Sequence, residues 1–557
     1  MRCSLRGFCF LVFSVVAVES APAVEATRDA DRRQAVCVSS AAALPVAQAR
    51  LLPFGSYRGP LASRHQEAQR FFDQAMVFGW GFNFAEAVRS FRAAAQIDLE
   101  CVLCRWGIAW ALGPSINHDM DPAEVPVARD AIVQARNGAR AGSRERALVD
   151  ALAERYSARP GADPGRLARA YASAMRTLAD RYPADADIAV LAAEALMNAH
   201  PYDYWRADGR AQPWTPHIIA GLERALRLAP GHPGAHHYRI HLFEDSRQPE
   251  RARESAETLG ALAPIVGHLV HMPSHIFFRL GRYRDAVAAN AAAVQADRDY
   301  STATGAHSDY AIHSLHFLWA SALWSGDSGT ATQAADHLAA AAQAAPPTDV
   351  HDGTRQHFLA TPALTKVRLA QWDALAVQAG SAAASNTDLY QRGLLQFASG
   401  MARAARGDIA GARSELASLH QSSLLTEKAA LTVKSINRAS AVLAVAQPLL
   451  QSAIATASDL QSDSVRYARV AVAAEDRLVT DDPPVWVVPA RHALGAALLR
   501  AGRAADARAV YRADLQRYPQ SCVALAGLAA AERKLRSWRV PARPSAQTPA
   551  QISHCPE

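Results

Sequence analysis

Two histidine-bearing stretches in the middle of the chain decide its fold: residues 231–242 read GHPGAHHYRIHL, and residues 267–276 read GHLVHMPSHI. His237 and His241 are four residues apart, as are His271 and His275, and 34 residues separate the first pair from the second. Residues four apart lie on one face of a helix. Units repeated at a fixed period stack side by side, so we expect both pairs to face the same direction from neighbouring helices.

Length and composition favour a repeat array. At 557 residues the chain exceeds the usual size of one compact domain, whereas stacked repeats grow in one dimension. Half of the residues are hydrophobic, and the mean hydropathy is close to zero. The net charge of +7 is modest for this length and accompanies 52 acidic residues, so we expect no nucleic-acid binding. We also expect no nucleotide or flavin cofactor.

The N-terminus predicts export. Arg2 and Arg6 precede an apolar run at residues 8–18, and APA at residues 21–23 offers a small-residue cleavage site. The apolar run is too short to span a bilayer. We therefore expect a cleavable signal peptide over residues 1–23, a periplasmic or secreted protein, and no membrane insertion of the mature chain.

Five cysteines remain after that cleavage: Cys37, Cys101, Cys104, Cys522 and Cys555. An oxidising compartment permits disulfides, and the sequence leaves their pairing open. Cys101 and Cys104 have the spacing of a redox or metal pair, but the chain has no second such pair. A structural role for them is therefore favoured over thiol chemistry. One candidate pair, Cys522 with Cys555, would pin the end of the chain.

Helical periodicity covers most of the sequence. We expect an irregular leader over residues 24–60, an α-helical array over residues 61–535 and a flexible tail over residues 536–557. The histidine-rich central repeats span residues 183–370. A long aromatic and proline-rich insertion at residues 201–216 interrupts them, and such insertions usually cross one face of an array as functional loops.

Several polar residues share the register of the paired histidines. Positions are counted along the first helix of each central unit. In the second unit, positions 2, 5, 9 and 13 are His268, His271, His275 and Arg279. In the first unit, positions 5, 9 and 13 are His237, His241 and Asp245. A following unit aligns His313 and His316 with positions 2 and 5. A preceding unit aligns Glu194 with His241. We expect these side chains to point into one groove.

The motifs together resemble a known family. HHYRIH at 236–241, EDS at 244–246, GHLVHMPSHI at 267–276, RLG at 279–281 and WGIAWALGP at 106–114 are similar to a large group of exported bacterial tetratricopeptide-repeat proteins. YDYW at 202–205 and HSLHFLW at 313–319 fit the same group, and the likeness covers most of residues 65–530. Arg105 departs from the aromatic or small residue expected there.

This resemblance implies a fold more than an activity. It implies an all-α, tetratricopeptide-type solenoid, in which antiparallel helix pairs form a right-handed superhelix and first-helix residues line the concave groove. It also implies export. No settled biochemical activity comes with it.

The histidines predict a transition-metal site. Imidazole suits Cu, Zn and Fe, and a pair four apart on a helix supplies two ligands on one side of an ion. We predict a divalent Cu, Zn or Fe ion held by His237, His241, His271 and His275, with His268, His313, His316 and Glu194 as further candidate ligands. Glu244 is an alternative carboxylate ligand or an orienting group.

The same spacing argues against a zinc protease. Tyr238 or Met272 stands where the His-Glu-x-x-His motif carries its catalytic glutamate. If the site is catalytic, a metal activating water or dioxygen is the favoured chemistry, hydrolytic or oxidative. His268 or Glu244 is then the candidate proton carrier.

A second function also fits the sequence: a non-enzymatic scaffold whose groove binds a small molecule, a peptide or a partner protein. The candidate groove residues are Arg279, Asp245, Trp205 and Tyr202. Geometry distinguishes the two functions. A metal site requires ligands within bonding reach, closed over by the 201–216 loop, whereas a partner-binding surface requires an extended groove without a tight cluster.

Overall fold

A computed structural model describes residues 49–60, 63–159, 161–308, 310–344, 352–378, 388–434, 436–479 and 482–537. The predicted signal peptide, most of the predicted leader and tail, and Cys37 and Cys555 lie outside these residues. Within them, helix pairs joined by short turns stack in sequence order. The predicted all-α solenoid of tetratricopeptide type is confirmed.

The N-terminal repeats begin after an extended segment, residues 49–60, which buries Leu52 and Phe54 against them. Asn83 starts the second helix by accepting a hydrogen bond from the backbone N–H of Glu86. The helices are α1 (Gln66–Trp80), α2 (Phe84–Ile97), α3 (Val102–Leu112), α4 (Val125–Gly138), α5 (Arg144–Ala153), α6 (Pro164–Arg181), α7 (Ala186–Ala199) and α8 (Thr215–Leu228).

Prolines punctuate the central repeats. Pro273 begins a new helix directly after Met272, because proline lacks the N–H that would continue the preceding helix, and Pro362 lies in the first turn of a helix in the same way. The helices are α9 (Pro233–Glu244), α10 (Arg253–Leu262), α11 (Gly267–His271), α12 (Pro273–Arg279), α13 (Tyr283–Thr304), α14 (Ala311–Ser325), α15 (Ser328–Ala344), α16 (Asp352–Leu359), α17 (Thr361–Arg368) and α18 (Trp372–Gln378).

The C-terminal repeats contain a small antiparallel hairpin in addition to helices. Its strands, β1 (Thr432–Val433) and β2 (Asn437–Arg438), were not predicted. The helices are α19 (Leu389–Ala405), α20 (Ile409–Ala429), α21 (Ala439–Ala457), α22 (Gln461–Glu475), α23 (Ala490–Arg500), α24 (Ala504–Arg517) and α25 (Cys522–Ser537).

Two large hydrophobic cores run along the array. One extends from Leu52 to Tyr310, and the other from Phe278 to Tyr518. Among the described residues, one helix, Ala439–Ala457, is long and apolar enough to cross a membrane by length and composition, and 61% of it is buried inside the protein. The core helix of a folded protein is buried in the same way.

Cys101 and Cys104 form a disulfide at the N-terminus of α3. Both residues are buried, and Cys101 also caps the helix by accepting from the Cys104 N–H. This agrees with the structural role that the sequence favoured. Cys522 is also disulfide-bonded.

Candidate metal centre

Helix α9 presents the first histidine pair. His232 caps its N-terminus, where the ring accepts a hydrogen bond from the Ala235 N–H, and Pro233 occupies the first turn. The helix is buried on nearly all sides, so the face carrying His237 and His241 contacts other protein atoms instead of solvent. The two rings lie side by side, with their centres 4.7 Å apart.

His268 completes a first triad with this pair. It lies on α11, and its Nε2 is 3.2 Å from Nε2 of His237. One ring nitrogen from each of His237, His241 and His268 can be chosen so that all three lie within 4.8 Å of one another. Phe82 packs against all three rings and holds them together. These three residues are called the first triad.

A second triad lies beside the first. It comprises His271 at the end of α11, His275 on α12 and His313 on α14, whose candidate ligand atoms also lie within 4.8 Å of one another. Nε2 of His271 is 3.0 Å from Nε2 of His275. Phe317 packs against His271 and His275 much as Phe82 packs against the first triad.

Glu244 joins the two triads. Its Oε1 is 2.7 Å from Nδ1 of His241, and its Oε2 is 2.8 Å from Nδ1 of His275. Arg279 donates to the backbone carbonyls of Glu244 and Ser246, which satisfies the carbonyls at the end of α9 and fixes the position of Glu244. One carboxylate therefore hydrogen-bonds a histidine of the first triad and forms an ion-pair contact with a histidine of the second.

Two further oxygen acceptors lie against the Nδ1 atoms of His237 and His271. His237 Nδ1 is 2.5 Å from the Trp80 carbonyl, which lies at the C-terminus of α1 and has no partner within that helix. His271 Nδ1 is 2.6 Å from Oδ1 of Asn290, whose amide nitrogen donates to Ala286. Carbonyl and carboxylate oxygens only accept, so these contacts place the proton on Nδ1 and leave Nε2 bare.

Burial controls the charge of the cluster. It lowers the pKa of His237, His268, His271 and His313 well below the usual histidine value, so these rings are neutral at pH 7. Burial opposes ionisation of Glu244, yet His275 and His241 hold its pKa well below its usual range. Burial likewise opposes protonation of His275, but the Glu244 charge outweighs it and raises the pKa of His275.

A cavity of about 1460 Å³ opens above both triads. Its floor includes two histidines of each triad: His241 and His268, and His275 and His313. His237 and His271 are fully buried behind them. The predicted groove residues Tyr202, Trp205, Asp245 and Arg279 all line this cavity. Most of residues 201–209 line the same cavity as the histidines.

Two predicted ligands lie elsewhere. Glu194 forms a buried ion pair with Arg155, 3.2 Å between Oε1 and Nη2, and accepts from Asn198, so its charge is already compensated. His316 packs against Trp319 and Phe358 on another side of α14, near His357. Neither residue joins the two triads.

The sequence did not indicate several residues that shape the site. Phe82 adopts a left-handed backbone conformation, φ 59°, in the turn after α1. Tyr310 packs on His268 with ring centres 4.0 Å apart, and its hydroxyl accepts from Asn117. The far wall of the cavity comes from the C-terminal repeats, including Ile436, Val479, Asp482, Pro484 and residues 516–519. None of these residues was among the predicted site residues.

No protein-family model matches this sequence, and no curated protein matches it. Solved structures similar to it include yeast Tom70, at 10% identity over 86% of this chain and 90% of that one, with a TM-score of 0.28. The P58(IPK) TPR domain is 11% identical over 85% of this chain and 99% of that one, with a TM-score of 0.21.

A third similar structure is Naa15/Naa10 bound to HypK-THB, at 13% identity over 85% of this chain and 71% of that one, with a TM-score of 0.21. Structural similarity this distant gives no information about the function of this protein. The tetratricopeptide-type architecture rests on the 34-residue spacing of the histidine pairs and on the stacked helix pairs themselves.

Proposed function

We propose that this protein binds transition-metal ions in the two histidine triads and uses them on a molecule held in the cavity above. One observation carries the proposal. Three histidines, His237, His241 and His271, have Nδ1 hydrogen-bonded to oxygen acceptors. The Nε2 atoms of His237 and His271 lie 3.2 and 3.0 Å from those of His268 and His275, inside the tight clusters. Protein metal sites orient imidazole ligands in the same way, through the ring nitrogen that does not bind the metal.

The Nε2 contacts support a cation between the rings. When Nδ1 carries the proton, the two Nε2 atoms of His271 and His275, 3.0 Å apart, face each other with their lone pairs. Such lone pairs repel unless a proton or a metal ion lies between them. A proton shared by one pair still leaves His241 Nε2 and His268 Nδ1 buried without a hydrogen bond. A metal ion in each triad satisfies more of these atoms.

The position of the cavity supports chemistry on a bound molecule. Structural metal sites are closed by four protein ligands, whereas catalytic sites keep a position open. Each triad supplies three ligands, and two of the three face the cavity. A metal here activates water or dioxygen, as hydrolytic or oxidative reactions require.

Cavity size favours a peptide as a second kind of occupant. Pockets for small molecules usually measure about 300–1,000 Å³, and this cavity is about 1460 Å³. A segment of a peptide or partner protein therefore fits it, either as the molecule acted on or as a partner bound without chemistry. This is the second candidate function.

Export is part of the same proposal. The Cys101–Cys104 disulfide supports an oxidising compartment, since disulfides are rare in reducing ones. The periplasm or the exterior would then be where the metal is loaded. Determining the N-terminal residue of the protein recovered from its host tests this: a start near residue 24 is expected, and a retained Met1 would contradict it.

Metal content tests the central proposal. The untagged chain from about residue 24 is analysed by inductively coupled plasma mass spectrometry beside a His237→Ala/His271→Ala variant. His236→Ala is the matched control, because His236 is adjacent on α9 but bonds to Ser255 and Pro230 away from the triads. We expect bound metal in the parent and the control and its loss in the double variant, with cooperative melting in all three. Absence of metal in the parent after reconstitution would refute the proposal.

A further inference from the structure

We propose that the two triads hold a pair of copper(I) ions close enough to bind one dioxygen molecule between them. This inference rests on the proposed function, because it assumes that the triads bind metal. It adds the identity of the metal, the number of ions and the small molecule that they take up. Four features of the molecule carry it: the spacing of the triads, their donor atoms, their charge and their surroundings.

The triads are direct neighbours. Ring centres within a triad are 4.6–6.0 Å apart. Across the two triads, His268 and His271 are 5.9 Å apart and His241 and His275 are 6.4 Å apart. Spacing between the triads thus nearly equals spacing within them. Metal pairs that act on one molecule lie about 3.5–4 Å apart, so the inference requires that separation of the two ions, close enough for a diatomic molecule to bridge.

The donor set favours copper. Both triads consist of imidazoles, and Glu244 approaches them from the Nδ1 side, away from the converging nitrogens. Sites for Mg, Mn and Ca are built from oxygen ligands, whereas imidazole suits Cu, Zn, Fe and Ni. Among the divalent ions of that group, copper(II) binds a given nitrogen site most tightly, and copper(II) is the state that the pair reaches with oxygen. An all-imidazole pair of sites therefore selects copper over the oxygen-preferring metals.

Charge favours the copper(I) state over two divalent ions. His237 and His271 are completely buried, and Glu244 supplies one negative charge directly against the cluster. Lys434 and Asp482 bring charges of opposite sign near His275, and Lys434 also acts on His313. Uncompensated charge is costly in such surroundings. Two copper(I) ions bring half the charge of two zinc(II) ions.

Dioxygen binding preserves that charge. Each copper(I) ion gives one electron to the same dioxygen molecule, which is reduced to peroxide, and both ions become copper(II). The O–O single bond remains, two copper–peroxide bonds form, and no proton or further reductant takes part. Copper ions and oxygen together carry the same net charge before and after the step. A buried site therefore accommodates both states without a new desolvation penalty.

Aromatic side chains surround the rings. Phe82 packs on the first triad and Phe317 on the second, and Tyr310 covers His268. These contacts fix the imidazoles so that little reorganisation accompanies a change of oxidation state. Access to oxygen remains through the cavity, which reaches His241, His268, His275 and His313.

Anaerobic loading with copper(I) tests the inference. The metal-free chain is titrated with a copper(I)–acetonitrile complex, and the stoichiometry is measured before oxygen is admitted. We expect two copper ions per chain. Oxygen should then produce an intense near-ultraviolet charge-transfer band with no electron paramagnetic resonance signal, because two bridged copper(II) spins cancel. Removing oxygen should reverse the band.

Variants that break one triad sharpen the test. His313→Ala and His268→Ala should each bind about one copper ion fewer, lose the band, and give a copper(II) resonance signal after oxidation. His236→Ala should behave as the parent, since it lies outside both triads. Melting curves of the metal-free proteins verify that each variant is folded.

The outcomes separate the two proposals. Binding of zinc or iron, but not of copper(I), supports the proposed function and overturns this inference. Two copper ions that give full resonance signals after oxygen are isolated sites, which also overturns it. Failure to bind any of these metals overturns both.

Discussion

At the scale of single residues, Glu244 contacts one histidine of each triad. Glutamine at this position keeps one carbonyl oxygen for one ring but turns an amide NH₂ toward the Nδ1–H of the other. One of His241 and His275 then loses its acceptor. We expect Glu244→Gln to weaken metal binding by about 10–100-fold, the usual effect of removing such a partner, measured by competition with a chelator.

Glu250→Gln is the control for that measurement. Glu250 lines the same cavity without belonging to either triad, so its variant should bind metal as the parent does. Equal affinities for Glu244→Gln and the parent would contradict an orienting role for Glu244.

Spacing along a helix reveals which residues share a face, and this is why the sequence identified most of the triad histidines. His237, His241, His271 and His275 follow directly from the four-residue interval. His316 shows the limit of the argument: three residues after His313, it points about 60° away on the helix and packs against Trp319. The Trp80 carbonyl and Asn290 could not be predicted, because acceptors on other helices depend on tertiary packing.

At the scale of elements, the 201–216 loop is fastened to the helix that carries the first histidine pair. The Trp205 indole N–H donates to the carbonyl of Leu242 on α9, 2.6 Å away, and its ring packs on Phe243. Tyr202 has a left-handed backbone, φ 57°, and its hydroxyl donates to Asn117 on the opposite side of the cavity. The loop is therefore anchored on both sides of the cavity mouth.

Trp205→Phe removes the indole hydrogen bond and keeps most of the ring. The lost bond is worth about 1 kcal/mol, so the loop should open more often while the repeats stay folded. We expect a chelator to extract metal several-fold faster, as followed by stopped-flow absorbance. Trp319→Phe loses a comparable bond, to Thr365, away from the loop, and should leave the extraction rate unchanged. Identical rates in all three proteins would show that the loop does not control access.

Proline sets element boundaries that the register of the histidines did not predict. The sequence placed His268 to Arg279 along one helix, but Pro273 divides this stretch into α11 and α12. Pro362 likewise lies in the first turn of α17. The hairpin of β1 and β2 was missed because two-residue strands carry no periodicity. Its pairing depends on contacts with distant helices, such as the bond from the Lys434 N–H to Thr354.

At the scale of the whole molecule, the array curves until its C-terminal repeats meet the central ones. Gly281, in the turn after α12, touches this contact: a Cβ built there would lie 2.3 Å from the carbonyl oxygen of Pro519. Its φ of 74° is also one that residues other than glycine rarely adopt. Both features make glycine necessary here.

Gly281→Ala should destabilise the protein by about 1–3 kcal/mol through backbone strain and the clash together, measured by urea unfolding. Gly502→Ala separates the two causes, because Gly502 has φ 73° but nothing within 4 Å of a built Cβ. We expect the larger loss for Gly281→Ala, together with altered metal binding, since Pro519 lines the cavity. Equal losses of stability in the two variants would mean that Gly281 and Pro519 are not in tight contact.

The curvature of the array could not be predicted from the sequence. A repeat pattern specifies how each unit packs on the next, but the meeting of residues 240 positions apart depends on the sum of many small rotations. The sequence therefore predicted a groove with histidines on one side and left out the wall formed by residues 516–519.

The free energy of unfolding should depend on pH through the side chain of Glu475 on α22. Its carboxyl accepts from the Ala490 N–H and is buried, and burial raises its pKa to about 7 despite opposing effects of that bond and of Arg517 and Arg491. The folded protein therefore holds this proton more tightly than the unfolded chain does. The stabilisation is fully present below the unfolded value, about 4.3, and is lost as the pH rises through 7.

The buried histidines act in the opposite direction over the same range. The lowered pKa values of His237, His268, His271 and His313 mean that the unfolded chain binds more protons at these four residues, so their contribution to stability rises with pH. The Glu475 effect must therefore be taken as a difference between the parent and Glu475→Gln, which leaves the histidines in place. We expect the free energy of unfolding of the parent, relative to the variant, to fall by about 3 kcal/mol between pH 4.5 and 7.5, measured by urea unfolding at each pH. A difference that does not vary with pH would mean that Glu475 is ionised in the folded protein at every pH tested.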